Sequence, residues 1–285
     1  MAMLEAPLKS VDAYVAYFAH QDLPVLRRTV RELEALGEMA TSVNSRELAA
    51  IVLADPLMTM RLLSWLQNHR RASQNHDITT IDRAIMMIGV DPFLEAFCQA
   101  PTLEAQLTEH PKALLGALQL IARARQAARH ARDWALLRHD LDADEITVAT
   151  LLHEATEIML WVFAPTLMLR VAAMQSMDPK LRSSVAQKVV FGVEAVSVQR
   201  ELVRVWKLPE LLVSLLDSRY RDNPRVRNVE LASRFTRHVA TGWDDAGLPD
   251  DIDELCRLLP LNREALLRRL GAPPDAFARL LGSQD

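Results

Sequence analysis

The stretch LLHEATEIML, residues 151–160, sets a histidine and a carboxylate side by side in an otherwise apolar run. Around His153 stand Ile146, Leu151, Leu152, Ile158 and Leu160, the surroundings of a largely buried helix, and no sustained strand-like alternation appears anywhere in the chain. On a helix, His153 and Glu157 lie four residues apart and share a face, while Glu154 points roughly a hundred degrees away. The doublet has two readings. In one, a partly buried histidine is hydrogen-bonded to a neighbour such as Glu157 or a distant carbonyl. In the other it is part of a metal site, which needs about three protein ligands from different elements and an open position for water.

Composition extends the helical reading to the whole chain. Of 285 residues half are apolar and a quarter charged, as in a folded protein with a substantial core. Glycine is scarce, at 8 residues, while Leu, Ala, Arg and Glu are plentiful, a balance that favours helices over turn-rich sheets. The net charge of −4 exerts no general pull toward nucleic acid or anionic lipid. Cys98 and Cys256 are isolated, so they form neither a disulfide framework nor a zinc pattern and suit a reducing compartment. No secretory signal is visible at the N-terminus. The uncharged run Ile158 to Leu169 contains Pro165 and is too short to span a bilayer. A cytoplasmic protein without a membrane segment is expected.

Short-range signals divide the first hundred residues into five short helices. Pro24 opens a segment carrying Leu26, Val30, Leu33 and Leu36, closed by Gly37. Asn44 or Ser45 caps the next, Asp55-Pro56 starts a third, Thr80 a fourth that ends at Gly89, and the fifth follows Asp91-Pro92. Between them lies the polar stretch His69 to Asp77. A long helix is expected at about Lys112 to Arg138, then one holding LLHEATEIML, then shorter ones starting near Pro165, Asp178, Glu194, Pro209 and Asn228. DDIDELCRLL and NREALLRRLG each read as a short helix near the end. The fold class is all-α, in two closely packed helical subdomains, residues 1–105 and 106–222, with a helical extension at 223–285.

Chemistry-bearing patterns are few. HEATE resembles the zinc-protease pattern H-E-x-x-H, but Glu157 replaces the second histidine. On the long helix Arg125, Arg129 and Arg132 share a face at i, i+4 and i+7, and the stretch SRYRDNPRVRN (218–228), read as a loop, adds Arg219 and Arg221. Guanidinium forks in either place suit an oxyanion such as a nucleotide phosphate, or an acidic partner; the plainer reading is a solvated face pairing with acids elsewhere. No aromatic residues interleave with these arginines as single-strand binding requires, so nucleic acid is not the expected partner. There is no phosphate-cradling glycine loop and no dinucleotide fingerprint.

In order and spacing, several stretches resemble the HDOD family, a bacterial group of HD-related output domains allied to the HD and HD-GYP phosphohydrolases. They are LPVL at 23–26, IVLADPLMTMRLL at 51–63, ITTIDRAIMMIG at 78–89, LLHEATEIML, FGVEA at 191–195 and VWKLPELLVSLL at 205–216. The resemblance implies an HD-like helical bundle. It also implies where ligands would stand in a catalytic relative: a His-Asp doublet followed by Gly-Lys, then further histidines. Here the doublet is His153-Glu154, and Thr156-Glu157 replaces Gly-Lys. Ala195 stands where relatives carry a histidine, Arg219 and Tyr220 stand where a histidine pair follows Trp-x-Leu-Pro, and His130 lies too far along the long helix to match the first histidine. His153, Glu154 and Glu157 are thus the vestige of an HD-type site, with no cofactor or metal expected. The chain is expected to be a non-catalytic regulatory module that binds signalling proteins. The alternatives are a divergent metal-dependent phosphohydrolase, or a module that senses a nucleotide or cyclic dinucleotide.

Overall fold

Proline, asparagine and glycine punctuate the chain into helices, as their backbone chemistry requires. The structure, a computed structural model, describes residues 3–38, 43–69, 80–178 and 180–282. Of the polar stretch His69 to Asp77, all but His69 lies outside the described residues, as do Ile78 and Thr79 of the motif at 78–89. The helices run α1 (Val11–Ala19), α2 (Arg27–Glu38), α3 (Ser45–Val52), α4 (Pro56–His69), α5 (Ile81–Ile88), α6 (Val90–Phe97) and α7 (Leu103–Gln106). There follow α8 (Pro111–Leu137), α9 (Ala143–Leu152), α10 (Ala155–Phe163), α11 (Pro165–Met177), α12 (Ser183–Phe191) and α13 (Ala195–Val205). The last are α14 (Glu210–Leu215), α15 (Pro224–Thr241), α16 (Leu248–Leu258), α17 (Arg263–Leu270) and α18 (Pro274–Gly282). Among the described residues no strand forms beyond an isolated bridge between Val25 and Thr102. The fold is all-α.

Local chemistry accounts for many of the starts and stops. Asn44 and Glu47 form a capping box at α3, each side chain accepting from the other's backbone N–H. Asp55 caps α4: its Oδ1 accepts from the N–H of Leu57 at 3.0 Å and of Met58 at 3.2 Å. Its Oδ2 reaches across to α2 and accepts from Leu26 N at 2.7 Å and Thr29 Oγ1 at 2.9 Å. Asp55 is fully buried; burial pushes its carboxyl up from the ordinary range, and the four donated hydrogen bonds pull it back. Gly89 ends α5 at φ 90°, a conformation that costs a side-chain-bearing residue energy.

The chain forms two compact units, each built from two stretches of sequence. One comprises Met1–Ala122 and Glu154–Val213, the other Arg123–His153 and Ser214–Asp285. In the first, Tyr14 and Phe18 of α1, Phe163 of α10 and Phe191 of α12 form a buried ring cluster with centroids about 6 Å apart. The Tyr14 hydroxyl donates to the Phe191 carbonyl at 3.1 Å and accepts from Leu8 N at 3.0 Å. Gly116 of α8 lets the Trp161 indole lie against the helix backbone. In the second unit, α15 packs on α9 and α16. His130 and Trp134 of α8 stack 5.6 Å apart and both meet Phe235 of α15. Asn228, fully buried, donates from Nδ2 to the Ala131 carbonyl at 3.0 Å. Burial pushes the His130 imidazole below its ordinary pKa, outweighing the nearby Asp133 carboxylate.

Three expectations are corrected. The segment LLHEATEIML does not lie on one regular helix: α9 ends at Leu152 and α10 begins at Ala155, with His153 and Glu154 at the junction. SRYRDNPRVRN is not a loop. Ser218–Tyr220 forms a 3₁₀ turn, and Asn223-Pro224 begins α15 rather than breaking it, because Asn223 accepts from Arg225 N and Pro224 takes the first position, where no N–H is needed. The helix expected near Asp178 starts only at Ser183. By length and composition alone, Ala143–Phe163 is apolar enough to cross a membrane, yet 83% of its most apolar window is buried inside the protein, as in a core helix.

Candidate functional site

Glu157 projects from the first turn of α10, where Gln187 of α12 meets it. Gln187 is almost fully buried and donates from Nε2 to Glu157 Oε2 at 2.9 Å and to Ser183 Oγ at 3.1 Å. Its Oε1 accepts the backbone N–H of Ala195, the first residue of α13, at 3.0 Å. One buried amide therefore ties the helix starts of α10 and α13 to α12. The Glu157 carboxylate and the Ala195 backbone are both held in this hydrogen-bond group. Next to it, Gln199 of α13 accepts from the N–H of Thr156 at 3.4 Å. No sequence motif marks Gln187; the available signal is its helical register with Phe191, which places an amide on the inward face.

Leucine in place of Gln187 keeps the bulk and removes every hydrogen bond of the amide. It takes the acceptor from the Ala195 N–H and removes the hydrogen bond to the Glu157 carboxylate, at a cost of about 2–4 kcal/mol. Urea unfolding of Gln187→Leu checks this, and a loss below about 1 kcal/mol would show the group to be incidental.

His153 is half-buried and caps the end of α9, its N–H bonding the Thr150 carbonyl at 3.2 Å, while Glu154 is buried at the start of α10. His153 belongs to the second compact unit; Glu154, Glu157 and Ala195 belong to the first. Among the described residues no three His, Cys, Asp or Glu side chains come together as a group able to hold a metal ion. At the positions where the sequence resemblance would put ligands, the donor chemistry does not fit a divalent cation either. Ala195 offers no side-chain donor, Glu157 is engaged by Gln187, and Arg219 brings a positive charge.

The arginines singled out in the sequence all lie in the second unit. On α8, Arg125 is half-buried, Arg129 is exposed and Arg132 pairs with Asp144. Arg219 forks onto the buried carboxylate of Asp217, with Nε 3.0 Å from both oxygens, and Arg221 lies 3.6 Å from Glu230. Burial pushes the Glu230 carboxyl up, against the pull of Arg221 and Arg234.

A polar cluster of this unit was not legible as a motif. Asp251 of α16 is almost fully buried and accepts from Arg234 Nε at 2.6 Å, while His238 Nδ1 lies 2.6 Å from its other oxygen. Arg234 reaches Glu254 at 2.7 Å. Gly247 leaves room for the His238 ring, which a Cβ would approach to 2.5 Å. These groups lie on α15, α16 and the loop between them, so their grouping depends on how the two helices pack. They tie the ends of the elements together, as buried charges must be tied.

The profile of the HDOD domain matches residues 23–221. No curated protein matches the chain. Among solved structures the chain is similar to a virulence factor from Campylobacter jejuni subsp. jejuni, at TM-score 0.67 and 18% identity over 97% of this chain and 99% of that one. It is also similar to the MmoQ response regulator from Methylococcus capsulatus str. Bath, at TM-score 0.57 and 20% identity over 93% and 99%. At such identities these likenesses establish the fold.

Proposed function

Because the chain belongs to the HDOD family, we propose that it is a cytoplasmic, non-catalytic signal-transduction module that acts through protein–protein contacts. One observation carries the reading: the carboxylate and the backbone at two positions where HD enzymes bind metal and phosphate are joined through Gln187 into a structural hydrogen-bond group. A negative charge at Glu157 would repel a phosphate, and Ala195 cannot ligate. The oxyanion-sensing alternative has less support, since Arg132, Arg219 and Arg221 already face Asp144, Asp217 and Glu230. Purified protein is expected to hold no stoichiometric Fe, Mn, Zn or Ni and to hydrolyse neither nucleotides nor cyclic dinucleotides. One tightly held metal per chain, together with hydrolysis that stops in His153→Ala, would make the protein an enzyme instead.

A further inference from the structure

The inner face of α12 carries Gln187; its outer face carries something else. Val185 and Val189, one turn apart, are 47% and 67% exposed, and Met177 at the end of α11 is 87% exposed. Around them the α11–α12 region from Pro165 to Gly192 presents four exposed cations, Arg170, Lys180, Arg182 and Lys188, against one carboxylate, Asp178. None of the four cations makes an ion pair among the described residues, unlike Arg132, Arg219 and Arg221. In a chain of net charge −4 this is a local reversal of sign joined to an apolar ridge.

We propose that the outer face of α12, with the adjoining end of α11, is the docking surface for an acidic amphipathic helix of a partner protein. The inference rests on the protein-contact reading above and names where the contact is made. A partner with apolar residues at i and i+4 would cover Val185 and Val189, while its Asp and Glu residues would meet Arg182 and Lys188 on either side. A membrane fits less well: interfacial helices carry broad apolar faces with Trp, Phe or Leu anchors, and the ridge here is two valines wide.

The test places the photo-crosslinking residue p-benzoylphenylalanine at position 185 or 189 of the full chain in the native cell. Control probes stand at Met86 and Leu141, which are also exposed. Protein adducts are expected at 185 and 189, with mass spectrometry placing the link in a segment where Asp and Glu outnumber Lys and Arg. Reversing the charge with Arg182→Glu and Lys188→Glu should cut adduct yield at least about tenfold, since opposed like charges cost several kcal/mol. Arg182→Gln with Lys188→Gln gives the same reading, at a smaller loss, should the reversal disturb folding. Protein adducts only at Met86 or Leu141 would overturn this surface and leave the protein-contact reading standing. Lipid adducts, or a basic partner segment, at 185 and 189 would overturn it too. No protein adduct at any of the four positions would overturn both.

Discussion

Alanine at position 55 is expected to lower the stability of the protein by about 3–5 kcal/mol, the range reached when a buried hydrogen-bonded group is deleted. Four donors converge on the Asp55 carboxylate, two from the first turn of α4 and two from the start of α2, and all of them are buried. Removing the carboxylate deletes a helix cap, worth about 1 kcal/mol, and leaves the Leu26 N–H and the Thr29 hydroxyl with no acceptor where water cannot replace it. Asp55→Asn keeps one accepting oxygen but turns an NH₂ toward two of the donors, so it should recover only part of the loss. Urea unfolding of wild type, D55A and D55N checks the order. A D55A protein within about 1 kcal/mol of wild type would mean that the two helix starts are fixed by packing alone.

Gly116→Ala presents the opposite balance. Helix propensity by itself would favour alanine by about 1 kcal/mol in the interior of α8. The added Cβ, however, would lie 2.8 Å from the Trp161 ring, and that ring is pressed into the core. Overpacking of this kind costs about 1–3 kcal/mol, so the substitution should destabilise despite its better propensity. Trp161→Phe shortens the ring, so the double variant should show a positive coupling of at least about 0.5 kcal/mol in a mutant cycle. Purely additive effects would place the strain elsewhere.

These two sites also mark how far the sequence could be read. Asp55-Pro56, the Asn44 box and the Gly89 stop are local chemistry within a few residues, and each shows in the letters before any contact is known. The start of α15 uses the same chemistry, but Asn223-Pro224 is ambiguous in the letters, since a proline disfavours helix before it and starts helix after it. The junction at His153-Glu154 had no proline or glycine to announce it. For the candidate site, the residue types at 153, 154, 157 and 195 were legible, and so was the shortage of ligands among them. What engages them was not. Gln187 lies 30 residues from Glu157 and eight from Ala195, and Asp144 lies 12 residues from the Arg132 it faces. Pairings of that kind depend on how helices pack, which periodicity does not encode.

The threading of the two units bears on how the protein is made. Residues 123–153 leave the ribosome well before α15, whose Phe235 and Asn228 cover Trp134 and Ala131. Until residues 214–285 are synthesised, that stretch lacks the rest of its own unit, whereas every residue of the other unit has been translated by Val213. A stop codon near 222 would therefore not trim an appendage; it would strand Arg123–His153 without the helices they fold against.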